Sequence, residues 1–266
     1  MTGPMRDRVD VVALDLDGTL AGADHRVSSY AATVLRRLQE SGISTIVVTG
    51  RTEHAALLVC HQAGLTAPAI SCNGALITVP GTGRRLRERY LDPSSVSSLL
   101  DVANMVGLTP VVWTATNMYA DHPDPTLNVL EEINEQAVLF RPVSEWPHLQ
   151  SVKAMLLGTP DQLDAAETTL RTTMPSLKRS MATAYETANP DSSKKEALHD
   201  VLHTLGLRPE RCLGIGDGDT DIDWLASIGL PTAVANASHG VLAITERRIG
   251  HHADDAVAAL LADELL

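Results

Sequence analysis

The stretch Asp15-Leu16-Asp17-Gly18-Thr19 directly follows residues 9–14, a largely apolar run that predicts a buried strand of a parallel sheet. Two carboxylates at such a place are costly unless they are paired or bind a metal. Side chains alternate faces along a strand, so the chain must curl, as Gly18 permits, if both carboxylates are to reach one site. A carboxylate can attack phosphorus and a second one can transfer a proton. Taken alone, the same pattern is also a common acidic turn.

Strands and helices alternate along most of the chain, which predicts an α/β fold with a doubly wound, Rossmann-like parallel-sheet core. The rhythm changes between residues 83 and 184, where an inserted α+β cap domain is predicted, so that residues 1–82 and 185–266 form the core. The predicted strands of the core cover residues 9–14, 43–48, 69–71, 212–215 and 232–235. Its predicted helices cover residues 27–38, 193–205 and 220–228, one that ends at residue 64, and one that starts near residue 255.

Composition excludes several classes of protein. The net charge of −12 and an aromatic content of 3% argue against a nucleic-acid partner, which requires a basic face or stacking platforms. The three cysteines form no CxxC pair, so neither a zinc site nor a disulfide framework is indicated. The sequence contains no run of 18 apolar residues, so no membrane span is predicted. We therefore expect a cytoplasmic protein with no membrane partner.

Two further polar segments follow predicted strands of the core. Thr49-Gly50-Arg51 offers a hydroxyl and backbone N–H groups at a helix start, which suits a phosphate, although for this segment taken alone simple helix capping by Thr49 is the favoured explanation. Lys194 stands at the start of the helix predicted at residues 193–205. It could hold both a phosphate and a nucleophilic carboxylate, and taken alone it could also be a surface lysine. The carboxyl ends of strands are where open α/β sheets bind ligands.

The densest acidic segment is Gly216-Asp217-Gly218-Asp219-Thr220-Asp221-Ile222-Asp223, which follows the strand at residues 212–215 and indicates a cation. A calcium-binding EF-hand loop is excluded, because counting from Asp217 its sixth position would need glycine and its twelfth glutamate, and isoleucine stands at both. Magnesium fits better, since it takes few carboxylates, keeps several waters and binds the phosphate oxygens of a substrate.

These segments, in this order, resemble the haloacid dehalogenase superfamily of phosphatases, and the likeness extends to its Cof-type branch. That branch carries an Asn-Gly-Ala segment like Asn73-Gly74-Ala75, a glutamate-containing strand before the lysine, like Glu186, and a segment like residues 233–237 after the metal loop. A large α+β cap inserted between the second and third motifs is typical of the branch.

The resemblance implies a role for each matching residue. Asp15 would be the nucleophile and a Mg²⁺ ligand, and Asp17 would be the acid/base that also lends its backbone carbonyl to the metal. The other implied roles are phosphoryl contacts for Thr49 and Lys194, phosphate or substrate binding for Gly50, Arg51, Asn73 and Gly74, and metal binding for Asp217, with Asp221 supporting the metal directly or through water.

The resulting hypothesis is a Mg²⁺-dependent phosphomonoester hydrolase that acts through an aspartyl-phosphate on a small phosphorylated metabolite such as a sugar phosphate. One residue departs from the Cof pattern, which usually has Asn where this chain has Thr220. Thr-Asp at that place resembles the trehalose-phosphate phosphatases of the same superfamily. A phosphomutase or phosphotransferase on the same fold and a non-catalytic phosphate-binding regulatory module remain as alternatives.

Overall fold

A computed structural model describes residues 4–266 of the protein, which form two compact units. The first contains the chain up to Gly50 together with Ala56–Leu86 and Ser193–Leu266. The second contains Arg51–Ala55 and Arg87–Ser192. The second unit is therefore an insertion in the first.

Strands and helices are numbered along the chain. The strands are β1 Val11–Leu14, β2 Ser44–Val47, β3 Ala69–Ser71, β4 Leu76–Val79, β5 Arg84–Glu88, β6 Thr109–Thr114, β7 Met118–Ala120, β8 Val138–Phe140, β9 Ser151–Leu157, β10 Lys178–Met181, β11 Ala184–Ala188, β12 Cys212–Gly216, β13 Leu230–Ala233 and β14 Arg247–Arg248. The helices are α1 Ser29–Glu40, α2 Glu53–Ala63, α3 Pro93–Val106, α4 Asn128–Asn134, α5 Pro160–Thr173, α6 Lys194–Leu205, α7 Ile222–Leu225, α8 His239–Ile244 and α9 Ala256–Leu265.

A five-stranded parallel sheet in the order β14-β13-β12-β1-β2 forms the centre of the first unit. Strand β1 lies between β12 and β2 in this sheet and is completely buried and apolar, as a strand covered on both faces requires. Leu14 pairs in register with Val47 on one side and Ile215 on the other. Because β1 leads to β2 in one direction and β12 leads to β13 in the other, the strand order reverses between β1 and β12. Open α/β sheets bind their ligands at the carboxyl ends of strands at such a point.

The second unit is built on a six-stranded mixed sheet in the order β10-β11-β9-β6-β7-β8. Helices α3 and α5 contribute Leu99 and Leu163 to its own hydrophobic cluster, which also contains the fully buried Trp146. Strand β11 pairs with β9 of this sheet, so the unit reaches Ser192, whereas the sequence places the end of the insertion at residue 184.

The predicted fold class, an α/β parallel-sheet core with an inserted α+β segment, is confirmed. Strands β4, β8 and β14 and helix α8 have no counterpart in the sequence prediction. The helix predicted at residues 220–228 is shorter than expected, because Asp219–Asp221 form a separate 3-10 turn before α7. Within residues 4–266, the structure contains no helix of the length and hydrophobicity needed to cross a membrane.

Candidate active site

Asp15 is the first residue after β1 and lies at the point where the strand order reverses. Its backbone N–H donates to the carbonyl of Ile215 at 3.1 Å, which continues the parallel ladder with β12. The residue is only 5% exposed. Burial and the Asp221 carboxylate raise the pKa of Asp15 well above its usual range, and Lys194 opposes them. A buried carboxyl in this position needs nearby positive charge to stay ionised.

Lys194 supplies part of that positive charge. It is the first residue of α6, which begins at Ser193, whose hydroxyl caps the helix by accepting from the N–H of Glu196. The Lys194 Nζ lies 2.8 Å from Asp15 Oδ1 and 2.7 Å from Asp221 Oδ1. Burial by itself would lower the pKa of Lys194, but the two carboxylates raise it above its usual value, so the ammonium form is retained. Lys194 is therefore no surface lysine.

Asp221 is the most heavily engaged carboxylate of the cluster. Its Oδ1 accepts from Lys194 and from the indole N–H of Trp224 at 2.9 Å. Its Oδ2 accepts from the backbone N–H groups of Asp217 and Gly218, both at 3.1 Å. A carboxylate offers about four lone-pair positions, so these four donors account for its capacity. Asp221 thus holds the acidic loop and Lys194 in fixed relative positions.

Asp217 faces the same cluster and is less buried. Its Oδ1 accepts from the hydroxyl of Thr19 at 3.0 Å. Burial and the charge of Asp221 raise the pKa of Asp217 from 3.8 to about 6, although Thr19 and Lys194 act in the opposite direction. The ionised form of Asp217 is therefore disfavoured at this place unless further positive charge is added.

The chain curls after β1 as the sequence predicts. The N–H of Ala21 donates to the carbonyl of Leu16 at 2.8 Å, which closes a wide helical turn over residues 16–20. Gly18 adopts a left-handed conformation with φ of 73°, and a Cβ there would lie 2.3 Å from Asp217 Oδ2. A side chain at position 18 would therefore displace Asp217. Asn236 Nδ2 donates to the carbonyl of Gly18 at 2.7 Å, which gives the turn a further hydrogen bond from a distant segment of the chain.

The segments around Thr49 and Asn73 lie together. The N–H of Asn73 donates to the carbonyl of Thr49 at 3.1 Å. Cys72 and Asn73 both have positive φ, at 49° and 55°, which is uncommon for residues other than glycine. Gly74 follows with φ of 92°, and a Cβ there would lie 2.3 Å from the carbonyl oxygen of Ser193, so only glycine permits this approach to the start of α6.

The structure thus gathers most of the predicted site residues at one end of the core sheet. One cluster consists of Asp15, Lys194, Asp217 and Asp221. Thr49 and Gly50 lie beside the Asn73-Gly74 turn, since a Cβ added to Gly50 would be 2.8 Å from the side-chain oxygen of Asn73. Asp17 is 38% exposed and contacts His25. Arg51 is buried and belongs to the second unit.

The donor set suits a hard divalent cation. Asp15 and Asp217 are the candidate carboxylate ligands, and the fully hydrogen-bonded Asp221 lies beside them, with oxygens of all three within 4.8 Å of one another. Three carboxylates face a single ammonium group, so the cluster carries excess negative charge in a largely buried place. Oxygen-only ligands with few carboxylates are what Mg²⁺ takes in proteins. The residues therefore fit the ion that the sequence predicts.

Three contacting residues have no assigned role in the sequence analysis. Trp224 donates to Asp221, Asn236 donates to the carbonyl of Gly18, and His25 contacts Asp17 at 3.2 Å. Asn236 lies within the segment that carries part of the family resemblance, so the sequence did contain a signal for it. Trp224 and His25 match no motif, and only the folded chain brings them to the carboxylates.

The chain is similar to known proteins along nearly its whole length. Residues 12–261 match the model of the family described as haloacid dehalogenase-like hydrolase. The pyridoxal phosphate phosphatase YbhA of Escherichia coli is 27% identical, and the alignment covers 96% of this chain and 98% of that protein. A phosphoglycolate phosphatase of Methanospirillum hungatei is 26% identical over 88% of both chains.

Solved structures show the same fold. A haloacid dehalogenase-like hydrolase from Bacteroides thetaiotaomicron superposes with a TM-score of 0.86 at 22% identity, covering 96% of this chain and 99% of the other. The likeness therefore includes the inserted unit as well as the core. With the family match over nearly its whole length and these relatives, the chain belongs to the haloacid dehalogenase-like hydrolases and is a phosphatase of their Cof-type branch.

Proposed function

We propose that the protein is a Mg²⁺-dependent phosphomonoester hydrolase in which Asp15 carries the phosphoryl group as an aspartyl-phosphate. The observation that supports this most directly is the contact of Lys194 Nζ with Asp15 Oδ1 at 2.8 Å. A buried carboxylate is a useful nucleophile only if it stays ionised, and the ammonium group favours that form. The nucleophile stands at the end of β1, where the parallel sheet binds its ligands.

In the first step an Asp15 oxygen attacks phosphorus, the new P–O bond forms, and the bond from phosphorus to the leaving oxygen breaks. Asp17 gives its proton to that oxygen, so the product leaves as an alcohol. In the second step Asp17 takes a proton from water, and the water oxygen attacks phosphorus. The Asp15–phosphorus bond then breaks, which releases inorganic phosphate and restores Asp15.

In this proposal Lys194 and Mg²⁺ supply the positive charge around the phosphoryl oxygens. Thr49 and Asn73 would add hydrogen bonds to the same oxygens. The residues that would hold Mg²⁺ are Asp15 and Asp217 through their carboxylates and Asp17 through its backbone carbonyl. The ion would offset the negative charge that the carboxylates and the phosphate share. Because its oxygens already accept four hydrogen bonds, Asp221 would support the ion by positioning its neighbours.

The substrate class proposed is a small phosphorylated metabolite such as a sugar phosphate. Relatives named for pyridoxal phosphate and for phosphoglycolate support small phosphomonoesters in general. The motif residues of the core recognise only the phosphoryl group, which all such esters share. We assign the choice of leaving group to the inserted segment at about residues 83–184, as a cap domain. Thr220 stands where the branch usually has Asn, and its likeness at this place to the trehalose-phosphate phosphatases favours a sugar phosphate.

The test is an Asp15→Asn variant assayed for release of free phosphate from a panel of phosphomonoesters with Mg²⁺ present. Asparagine keeps the shape of Asp15 but removes the nucleophilic charge, so turnover should vanish on every ester while the fold survives. Asp263→Asn, an exposed change on α9, is the matched control. A substantial residual rate in Asp15→Asn would contradict the mechanism. Transfer of the phosphoryl group to a second sugar without phosphate release would indicate a mutase.

A further inference from the structure

A tight turn over residues 22–26 follows the segment of residues 15–21, here called the catalytic loop, and leads towards α1. The N–H of His25 donates to the carbonyl of Gly22 at 3.0 Å, and the N–H of Gly22 donates to the carbonyl of Arg26 at 2.9 Å. The N–H of Arg26 donates in turn to Asp24 Oδ1 at 3.1 Å. These bonds close the turn on itself, so its backbone conformation is well defined.

Both ends of the turn are anchored to the C-terminal part of the chain. At one end, the carbonyl of Ala21 is 2.8 Å from Nδ1 of His252. At the other end, the hydroxyl of Ser28 donates to Asp255 Oδ1 at 2.8 Å. The turn is therefore held in place by residues outside the catalytic loop.

His25 has a left-handed backbone with φ of 60°. Glycine would adopt this conformation at least cost, and non-glycine residues in such a conformation concentrate at functional sites. The chain has a histidine here, and its Nδ1 lies 3.2 Å from Asp17 Oδ1. Both side chains are more than one third exposed, at 37% and 38%, so burial does not explain why they meet.

We propose that His25 is a positioning residue for the reaction, which holds the Asp17 carboxyl group in the orientation needed to protonate the leaving oxygen. The hydrogen bond restricts rotation of the Asp17 side chain, and the anchored turn supplies the fixed point. His25 itself touches neither phosphorus nor the leaving group in this scheme. The inference rests on the proposed function, in which Asp17 is the acid/base.

The chemistry gives this role a signature that a purely structural role lacks. An alkyl phosphate releases an alkoxide, which requires a proton from Asp17 as the P–O bond breaks. p-Nitrophenyl phosphate releases a stable phenolate, which requires none. The ratio kcat/KM reports the steps up to the first irreversible one, here formation of the aspartyl-phosphate. A poorly held Asp17 should therefore lower kcat/KM for the alkyl ester selectively.

The experiment compares His25→Ala and His25→Gly with the wild-type protein on glycerol phosphate or another alkyl ester and on p-nitrophenyl phosphate. We expect kcat/KM for the alkyl ester to fall roughly tenfold to hundredfold, since small misplacements of a catalytic group have effects of this size. For p-nitrophenyl phosphate it should stay within about twofold. His25→Asn, which tolerates left-handed φ and keeps a donor, should recover part of the alkyl activity. His61→Ala, which removes an exposed histidine of α2, is the control and should leave kcat/KM unchanged for both esters.

An equal loss on both esters, or no loss on either, would overturn the proposal. Circular dichroism checks the fold of each variant, and His25→Gly decides the question if His25→Ala does not fold, because glycine relieves the left-handed strain. Failure of the proposed function itself is recognised separately, since Asp15→Asn would then keep its turnover. Equal losses in the His25 variants with an inactive Asp15→Asn would reject the role of His25 alone.

Discussion

Replacing Asp217 by asparagine should stabilise the metal-free protein at neutral pH and abolish its phosphatase activity. Burial and the Asp221 charge raise the pKa of Asp217 from 3.8 to about 6. That change corresponds to about 3 kcal/mol between the protonated and ionised forms. Asparagine resembles the protonated acid and keeps an oxygen for the Thr19 hydroxyl, which lies 3.0 Å away. The free energy of unfolding should therefore rise at pH 7 by up to about 3 kcal/mol.

The sign of the effect depends on pH. The folded-state pKa of Asp217 lies above the unfolded value, so the wild-type carboxyl costs no stability while it is protonated in both states, below about pH 4. Between about pH 4 and about pH 6 this carboxyl is ionised in the unfolded chain but still protonated in the folded one, so the wild-type protein loses stability as the pH rises across this range. The advantage of Asp217→Asn should therefore be near zero at about pH 4, grow across this window, and level off above it.

Urea denaturation at several pH values, with a chelator present, measures this advantage directly. Added Mg²⁺ should then stabilise the wild-type protein by mass action and leave Asp217→Asn nearly unchanged, since the variant lacks a proposed ligand. Asp263→Asn serves again as the exposed control and should match the wild-type protein under every condition. The reasoning fails if Asp217→Asn is less stable than wild type at pH 7 in chelator, or if its advantage does not vary with pH.

Three further predictions concern the metal, the two units and the support of the acidic loop. Calcium takes more ligands at longer distances than Mg²⁺ and could bind Asp15 through both oxygens, so it should bind and inhibit; full phosphate release in calcium after magnesium is chelated would contradict this. Lys194→Ala should lower kcat/KM for all esters of a panel by similar factors, whereas changes to polar loop residues of the second unit should alter the order of preference; the reverse pattern would show that the roles are exchanged. Trp224→Phe removes the indole N–H that donates to buried Asp221 at 2.9 Å and should cost about 1–3 kcal/mol in the free energy of unfolding, whereas an unchanged urea midpoint would show that this bond contributes little.

Local chemistry and periodicity were sufficient to predict four strands of the five-stranded core sheet, namely β1, β2, β12 and β13. β1 and β12 are short apolar runs that end in acidic residues, and that contrast is visible without any structure. Strand β3 was predicted with its observed bounds, Ala69–Ser71. The motifs also predicted which residue types would gather at the sheet edge, because parallel strands all end at that edge.

Other elements depend on partners that are distant in the sequence. Strand β14 has two residues, Arg247–Arg248, and is a strand only because it pairs with β13. Strand β8 carries Leu139 and Phe140 exposed, so it shows no burial pattern that a sequence could display. The C-terminal limit of the second unit likewise follows from the pairing of β11 with β9.

For the site, the sequence by itself determined which side chains could carry the chemistry. Carboxylates, a lysine and glycines that follow buried strands in this order are typical of a phosphoryl-transfer site. Only the tertiary structure decided how they are held. It placed Lys194 against a carboxylate 179 positions away, filled the acceptor positions of Asp221 with four donors, and brought His25 to Asp17, eight positions earlier in the chain. Such contacts depend on distances of a few ångströms between segments that have no fixed spacing in the chain, so no local pattern encodes them.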